Sequence, residues 1–158
     1  MQHFRFLGQL PTFDVVARLH KHSVDFDADG MLVLRNAEGV ELPLFQQWKS
    51  LKRLLRTACA TIKSAAAFGE ILVDRLDPGV VTDWSRDASS DFYTLCVPLV
   101  TNPQVQMFAR NESIILVQGA LIGHDTLVQH CHANWSTDPA YVLFFQVEKP
   151  PQADVPDV

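Results

Sequence analysis

The sequence predicts a mainly β, α+β fold in which N-terminal helices precede an antiparallel sandwich or barrel. Two segments within the first 65 residues carry apolar side chains at helical spacing. From Gly69 onward, short runs rich in β-branched and aromatic residues alternate with turn residues. No helical period lies between these runs, so six or more strands are expected to pair with one another.

The first helix is predicted to begin after Thr12, a residue type that favours the N-cap position. Asp14 falls in the first turn, where a carboxylate interacts favourably with the helix dipole. Apolar residues follow at helical spacing, namely Phe13, Val16 and Leu19. A short helix with these residues on its apolar face is therefore expected.

Two short strands are predicted within residues 31–44, on either side of a turn at 36–39. A longer helix is predicted over residues 45–62, because its apolar residues recur at steps of three or four. Its basic residues indicate a solvated outer face rather than a ligand patch, since the chain as a whole is acidic.

The second half of the chain is predicted to be β-structure separated by turns. Segment 119–125, "GALIGHD", is interpreted as one of these breaks, and its His124 is expected to face solvent. Residues 1–150 are expected to form a single domain, followed by a flexible Pro-rich tail at 151–158. The predicted strands are 70–76, 91–100, 105–109, 113–118, 126–134 and 141–148.

Composition excludes several classes of function. The net charge of -5 disfavours nucleic acid and anionic membranes as partners. There is no apolar run of 18 residues, and the first residues lack the layout of a signal peptide, so a cytoplasmic location is expected. Three widely spaced cysteines, Cys59, Cys96 and Cys131, are expected to be reduced.

The phases of two predicted strands suggest a polar-lined mouth in the barrel. Thr94 and Cys96 share one face of their strand, and His130 and His132 share one face of another. Neutral imidazoles in H-x-H spacing can chelate one ion, whereas a single histidine is more often a hydrogen-bonded structural residue. Phosphate loops, nucleophile elbows and zinc-type cysteine pairs are absent from the sequence.

Several segments together resemble the aspartyl/asparaginyl β-hydroxylase family. They are "FLGQLP", "PLFQQWKSL", "LDPGVVTDWSRD", "TLCVPLVTNPQV" and "HCHANWSTDPAYVLFF", in this order and spacing, from about residue 4 to 148. The resemblance implies a double-stranded β-helix, a jelly-roll or cupin-like fold, with the N-terminal helices packed on one sheet. It also implies Fe(II) and 2-oxoglutarate as cofactors, held by two histidines and a carboxylate.

The resemblance assigns metal-ligand positions residue by residue. The family's H-x-D motif, which follows an L-x-P-G turn, falls on Ser85 and Asp87, so the carboxylate is present and the histidine is replaced by serine. The family's distal histidine falls on His130, four residues before Asn134. Asp87 and His130 are thus the expected ligands, and His132 or a water at Ser85 could complete the shell.

The positions that would bind the cosubstrate have lost their usual residues. The family's R-x-H pair falls on Thr94 and Cys96, and its arginine six residues beyond Asn134 falls on Ala140. Arginine at that place would form a bidentate contact with the 2-oxoglutarate carboxylate, and alanine supplies no donor. No arginine occurs after Arg110 that could substitute for it.

Three functions follow from these residues. The first is a noncatalytic binding or structural module for a small molecule or a protein or peptide. The second is an active hydroxylase of an amino-acid or peptidyl side chain. In the third, His130 and His132 join Asp87, Asp83 or Cys96 around another divalent metal, Zn(II) or Cu(II).

Overall fold

The computed structural model describes residues 3–64, 67–87 and 91–149. Within these ranges, nine β-strands form two sheets, and three α-helices and one 3₁₀ segment lie in the N-terminal part. The helices are α1 (Phe13–Leu19), α2 (Pro43–Gln47) and α3 (Lys49–Thr61), and the 3₁₀ segment is His20–Asp25. The strands are β1 (Phe4–Gln9), β2 (Met31–Arg35), β3 (Phe68–Leu76), β4 (Phe92–Val100), β5 (Val105–Ala109), β6 (Glu112–Ile115), β7 (Ala120–His124), β8 (His130–Asn134) and β9 (Ala140–Glu148).

The strands form a jelly roll. The larger sheet has the order β1-β7-β4-β9-β3-β2 and the smaller sheet has the order β6-β5-β8, with antiparallel pairing throughout. Residues 80–87 extend the smaller sheet, because Val81 pairs with Ala133 and Ser85 pairs with His130. From β3 onward the chain therefore passes back and forth between the two sheets, which confirms the predicted fold class.

The larger sheet separates two apolar clusters. On its helix-covered face, Leu95 and Val97 of β4 pack with Trp48 and other residues of the N-terminal helices. On its other face, Cys96 packs with Met107 of the smaller sheet. The alternation predicted for this strand is confirmed, and each fully buried large side chain contributes about 1.5–3 kcal/mol to stability.

The predicted helix at 45–62 is interrupted at Trp48. The backbone of Trp48 (φ -88, ψ 74) lies outside the helical region, and its side chain is fully buried. Its N–H donates to the carbonyl of Phe45, closing α2 before α3 begins. The largest of the fully buried side chains thus lies at a break in the helical period that the sequence suggested.

Residues 31–44 supply one strand and one bridge instead of the two predicted strands. After β2, Glu41 makes a single bridge to Arg35, and Pro43 then begins α2. Proline is favoured at the first helical position because its fixed φ suits a helix and its missing N–H is not needed there. The second predicted strand is therefore wrong.

Helix α1 begins where it was predicted, and its predicted apolar residues Val16 and Leu19 pack in the core, but Phe13 does not. Val15 and Leu19 are buried, whereas Phe13 is 82% exposed. Two residues correspond to about 200° around a helix, so Phe13 lies opposite Val15. Asp14 does lie in the first turn, and Thr12 is the N-cap residue without a capping bond from its side chain.

Two strands were not predicted, and two others end or begin several residues away from the predicted bounds. β1 and β7 are new, β6 ends at Ile115 rather than at residue 118, and β8 begins at His130 rather than at residue 126. β7 lies between β1 and β4, where its apolar residues are buried on both faces, so they do not alternate with polar ones. The predicted tail at 151–158 lies outside the described residues.

Two further expectations concern the covalent and membrane state of the chain. Cys59, Cys96 and Cys131 are all unpaired in the structure. Among the helices that the structure describes, none is long and apolar enough to cross a bilayer.

Candidate functional site

His124 is buried in the barrel interior, and the expectation that it faces solvent is wrong. It ends β7 and is paired in register with Phe4 of β1 and Thr94 of β4. Only 7% of its surface is exposed, and its ring stacks on that of Phe4 with centroids 5.3 Å apart. Neither ring nitrogen has a hydrogen-bond partner. The error arose because β7 was interpreted as a turn.

The H-x-H pair lies on the facing sheet and meets His124. His130 and His132 are paired with Ala109 and Met107, both members of the interior cluster. The ring centroids of His124 and His130 are 4.4 Å apart, and those of His130 and His132 are 6.2 Å apart. Three imidazoles from two sheets therefore adjoin one another inside the barrel.

Two of these imidazoles are oriented through Nδ1. His130 Nδ1 lies 3.0 Å from the carbonyl oxygen of Val128, and His132 Nδ1 lies 3.7 Å from Oδ2 of Asp74. The ring of His132 also stacks on Phe144 with centroids 5.0 Å apart. His132 Nε2 is buried and has no hydrogen-bond partner. Because a carbonyl oxygen only accepts, Nδ1 of His130 carries the proton that it donates to Val128, which leaves a lone pair on Nε2 of His130.

Burial keeps His124 neutral. Desolvation by burial, together with smaller contributions from the nearby imidazoles of His130, His132 and His3, lowers the pKa of His124 to about 3. His124 consequently has one N–H donor and one free lone pair at neutral pH.

The segment that carries Ser85 and Asp87 runs beside β8. Ser85 and His130 exchange backbone hydrogen bonds of 3.0 and 2.9 Å, so the serine is the direct neighbour of this histidine. Asp87 is half-buried, and its N–H donates to the carbonyl of Thr126. Burial raises the pKa of Glu70, and the carboxylates of Asp87 and Glu38 raise it further. Asp87 thus lies near a second carboxylate, that of Glu70 close to the beginning of β3.

The predicted cosubstrate positions lie on the interior face but lack cations. Thr94 Oγ1 is 3.3 Å from Thr126 Oγ1. Cys96 and Ala140 are fully buried members of the interior apolar cluster. Burial raises the pKa of Cys96 to about 12, so its thiol is neutral. These positions provide a hydroxyl and apolar surface.

Asn134 stabilises a loop at the end of β8. Its side-chain amide donates to the carbonyls of Leu76 and Asp138, both at 2.8 Å, and its oxygen accepts from the N–H and hydroxyl of Ser136. All of its strong hydrogen-bonding groups are engaged within the protein. The side chain therefore fixes the connection between β8 and β9.

A cleft of about 1160 Å³ leads from the surface to the histidines. It opens at the ends of β1, β4 and β7 and is lined by His124 and Thr94 together with Arg5, Lys63 and Lys149. His130 and His132 lie behind His124 and do not line it. Of these three histidines, only His124 borders the cleft.

Solved structures with the same fold include oxygenases. The chain is similar to AviO1 from Streptomyces viridochromogenes Tue57, with a TM-score of 0.61, 16% identity and coverage of 98% of this chain and 93% of AviO1. It is also similar to an oxidoreductase of the 2OG-Fe(II) oxygenase family from Burkholderia pseudomallei, with a TM-score of 0.58, 13% identity and coverage of 84% and 77%. A third similar structure is the viral collagen prolyl hydroxylase vCPH from Paramecium Bursaria Chlorella virus-1. Its TM-score is 0.62 and its identity is 11%, and the match covers 94% of this chain and 91% of vCPH.

The chain therefore shares its fold with a protein of the 2OG-Fe(II) oxygenase family and with a collagen prolyl hydroxylase. No protein-family model and no curated protein matches the sequence. At identities of 11–16% the structural likeness concerns the path of the chain and not its chemistry.

The side chains at the equivalent site do not fit Fe(II) and 2-oxoglutarate. Ser85 beside His130 offers a hydroxyl in place of an imidazole. Ala140 and Cys96 belong to an apolar cluster, and neither side chain can pair with the cosubstrate carboxylate. In the part of the chain that the structure describes, no group of three His, Cys, Asp or Glu side chains could hold a metal ion.

Proposed function

We propose that the protein is a noncatalytic relative of the aspartyl/asparaginyl β-hydroxylases that binds a small molecule or a peptide at the mouth of the jelly roll. The observation that carries the proposal is the pairing of Ser85 with His130. It puts a serine on the strand next to the distal histidine, at the place where the resemblance requires an imidazole. A water ligand beside Ser85 would bind Fe(II) more weakly than a histidine side chain does.

The buried interior around Ala140 supports the same proposal. The cosubstrate carries two carboxylates, and one of them would have to enter a region formed by Ala140, Cys96 and Val142. Burying a carboxylate without a cation or hydrogen-bond donors is strongly unfavourable. The reaction with 2-oxoglutarate is therefore disfavoured at the binding step.

The cleft is the proposed ligand site. Its charged lining consists of three basic side chains and two carboxylates, and its apolar wall includes Tyr93 and Leu127; the charged residues are Arg5, Lys63, Lys149, Asp125 and Glu148. This composition suits a small molecule or peptide segment with an acidic group and an apolar part. Nucleic acid is not proposed, because the net charge of the chain is -5.

Calorimetry with 2-oxoglutarate, in the presence and absence of Mn(II), tests the loss of catalysis. We expect no binding of 2-oxoglutarate and no Fe(II)-dependent formation of succinate. Tight binding of 2-oxoglutarate together with metal-dependent succinate formation would overturn the proposal.

Ligand binding can be tested by thermal shift with a panel of acidic small molecules and peptides. The variant Thr94→Phe places a bulky ring in the cleft and is expected to abolish any shift. The variant Phe13→Trp changes an exposed aromatic residue outside the cleft and serves as the matched control.

One observation favours an alternative, an active metal-dependent dioxygenase that hydroxylates an amino-acid or peptidyl side chain. Asp87 and His130 lie on neighbouring strands, since residues 80–87 pair with β8. The succinate assay decides between the two functions, because only the dioxygenase consumes 2-oxoglutarate.

A further inference from the structure

Gly123 is a strand glycine that the packing of the fold does not require. It lies within β7, which pairs with β1 and β4 on its two edges. Its φ lies outside the left-handed region, and a Cβ added to it would approach other described residues, apart from its chain neighbours, no more closely than 3.4 Å, the distance to Cδ1 of Leu7. At Gly69 of β3, in contrast, a Cβ would lie 2.8 Å from Oε1 of Gln146. Glycine weakens a strand interior, and one without a packing reason is typical of a place where a ligand approaches the backbone.

Gly123 forms part of the floor of the cleft, on the helix-covered face of the larger sheet. It is half-buried and lines the cleft together with Arg5 and Leu95. The register pairs Gly123 with Arg5 of β1 and with Leu95 of β4, so the three residues form a row on one face. The end of α3 lies over β1, since a Cβ added to Gly8 would be 3.0 Å from Cγ2 of Thr61. The missing side chain at 123 therefore leaves room beside the end of α3 that reaches the backbone of β7.

Apolar side chains surround this position, and its neighbour Arg5 has no partner. Leu7, Ile62 and Leu95 line the cleft and pack in the cluster beneath the helices. Arg5 is exposed, and within the described part of the chain its side chain makes no ion pair and no hydrogen bond. An apolar wall beside an unpaired guanidinium suits a ligand that carries both an apolar part and an anionic group.

The carboxylates of the cleft do not neutralise Arg5. Asp125 Oδ2 lies 3.4 Å from Nδ1 of His3, and its Oδ1 accepts a hydrogen bond from the N–H of Leu127. Glu148 ends β9, which is separated from β1 by β7 and β4 in the larger sheet. At a strand spacing of about 4.8 Å, two intervening strands put about 14 Å between the backbones of β9 and β1. A carboxylate on a ligand can therefore pair with Arg5 without competing with an existing ion pair.

We propose that Gly123 is the floor of a subsite for the unbranched alkyl chain of a carboxylic acid, whose carboxylate pairs with Arg5. This ligand class rests on the proposed function, because it specifies what the same cleft binds. A methylene chain gains from burial against Leu7, Ile62 and Leu95. It needs no hydrogen-bond partner, and β7 offers none on this face, since its N–H and C=O groups pair with β1 and β4. The guanidinium can donate two parallel N–H bonds to the carboxylate.

Calorimetry with butanoate, hexanoate, octanoate and decanoate tests the part of the subsite that binds the chain. Affinity for the wild type should rise about fourfold with each methylene that is buried. In Gly123→Val this rise should be largely lost, because the valine side chain occupies the floor of the cleft. Valine suits a strand, so this variant should be folded. Gly123→Ala should give an intermediate rise, since its Cβ meets other atoms only at 3.4 Å and beyond.

The variant Arg5→Gln tests the carboxylate contact with octanoate and its uncharged analogue 1-octanol. Octanoate should bind this variant at least about fivefold more weakly than the wild type, whereas 1-octanol should bind both proteins equally. Arg5→Lys should retain part of the affinity for octanoate because it keeps the charge. Arg53→Gln removes an exposed arginine of α3 outside the cleft, and this matched control should leave both affinities unchanged.

An affinity that does not increase from butanoate to decanoate would overturn the inference. Wild-type affinity for decanoate in Gly123→Val, or for octanoate in Arg5→Gln, would overturn it as well. Circular dichroism shows whether each variant is folded. If Gly123→Val is unfolded, NMR of the wild type decides, since decanoate should shift the amide resonance of Gly123 and an unshifted resonance overturns the subsite.

The proposed function and the subsite can fail separately. A ligand whose binding is abolished by Thr94→Phe and unaffected by Gly123→Val would support the cleft as the ligand site and overturn the subsite. Formation of succinate from 2-oxoglutarate would overturn the loss of catalysis without bearing on the binding of alkyl carboxylates.

Discussion

Acidification should destabilise the metal-free protein through His124. Burial lowers the pKa of this imidazole from its ordinary value of 6.5 to about 3. Between these values the unfolded chain takes up a proton that the folded chain excludes. The contribution of His124 to stability is therefore present above pH 6.5 and is lost progressively as the pH falls toward 3.

The expected loss can be calculated from this difference in proton binding. Between pH 7 and pH 5, protonation of an unfolded histidine lowers the free energy of unfolding by about 2 kcal/mol. This figure depends little on the folded-state pKa, provided that it lies well below 5. A loss of this size is a large share of the stability of an ordinary domain.

Urea unfolding in the presence of EDTA, at pH 7 and at pH 5, measures the effect. His124→Phe keeps a ring that can stack on Phe4 and removes two nitrogens that lack partners, so its stability at pH 7 should equal or exceed that of the wild type. The wild type should lose about 2 kcal/mol more than this variant on acidification. His3, His130 and His132 are present in both proteins, so their contributions largely cancel. Equal losses in the two proteins would refute the reasoning.

Two further outcomes are expected from buried polar groups. Asn134→Ala should lower the free energy of unfolding by about 2–4 kcal/mol in urea titrations, because it leaves the buried partners of the amide unsatisfied; loss of less than about 0.5 kcal/mol would contradict this role. Cys96 has a pKa raised to about 12 and no exposed surface, so it should resist alkylation in the native protein and react only on unfolding. The half-buried Cys59 should react earlier. Mass spectrometry of the labelled peptides shows which cysteine reacts first.

Much of the β-structure could be predicted because its side chains alternate. In β4 the odd-numbered residues Leu95, Val97 and Leu99 pack beneath the helices, and Cys96 faces the barrel interior, as the phases indicated. When the two faces of a strand differ chemically, the alternation of its residues shows which side chains lie on which face of the sheet. His130 lies beside Ser85 because residues 80–87 pair with β8.

The part of the site on β7 could not be predicted for the opposite reason. Ala120, Leu121 and Ile122 are all buried, since β7 has neighbours on both edges and packing on both faces. Such a run has no alternation, and Gly119 and Gly123 on either side of its centre resemble turn residues. Because β7 was not predicted, the burial of His124 was not predicted either. A short apolar run bounded by glycine could have indicated a buried strand.

The charges that line the cleft bear on which ligands it favours. Its basic side chains are Arg5, Lys63 and Lys149, and its carboxylates are Asp125 and Glu148. The cleft therefore has a small excess of positive charge, although the chain as a whole has a net charge of -5. A local excess of positive charge attracts anions toward the cleft, so a ligand with an acidic group should bind more weakly at high ionic strength than at low ionic strength.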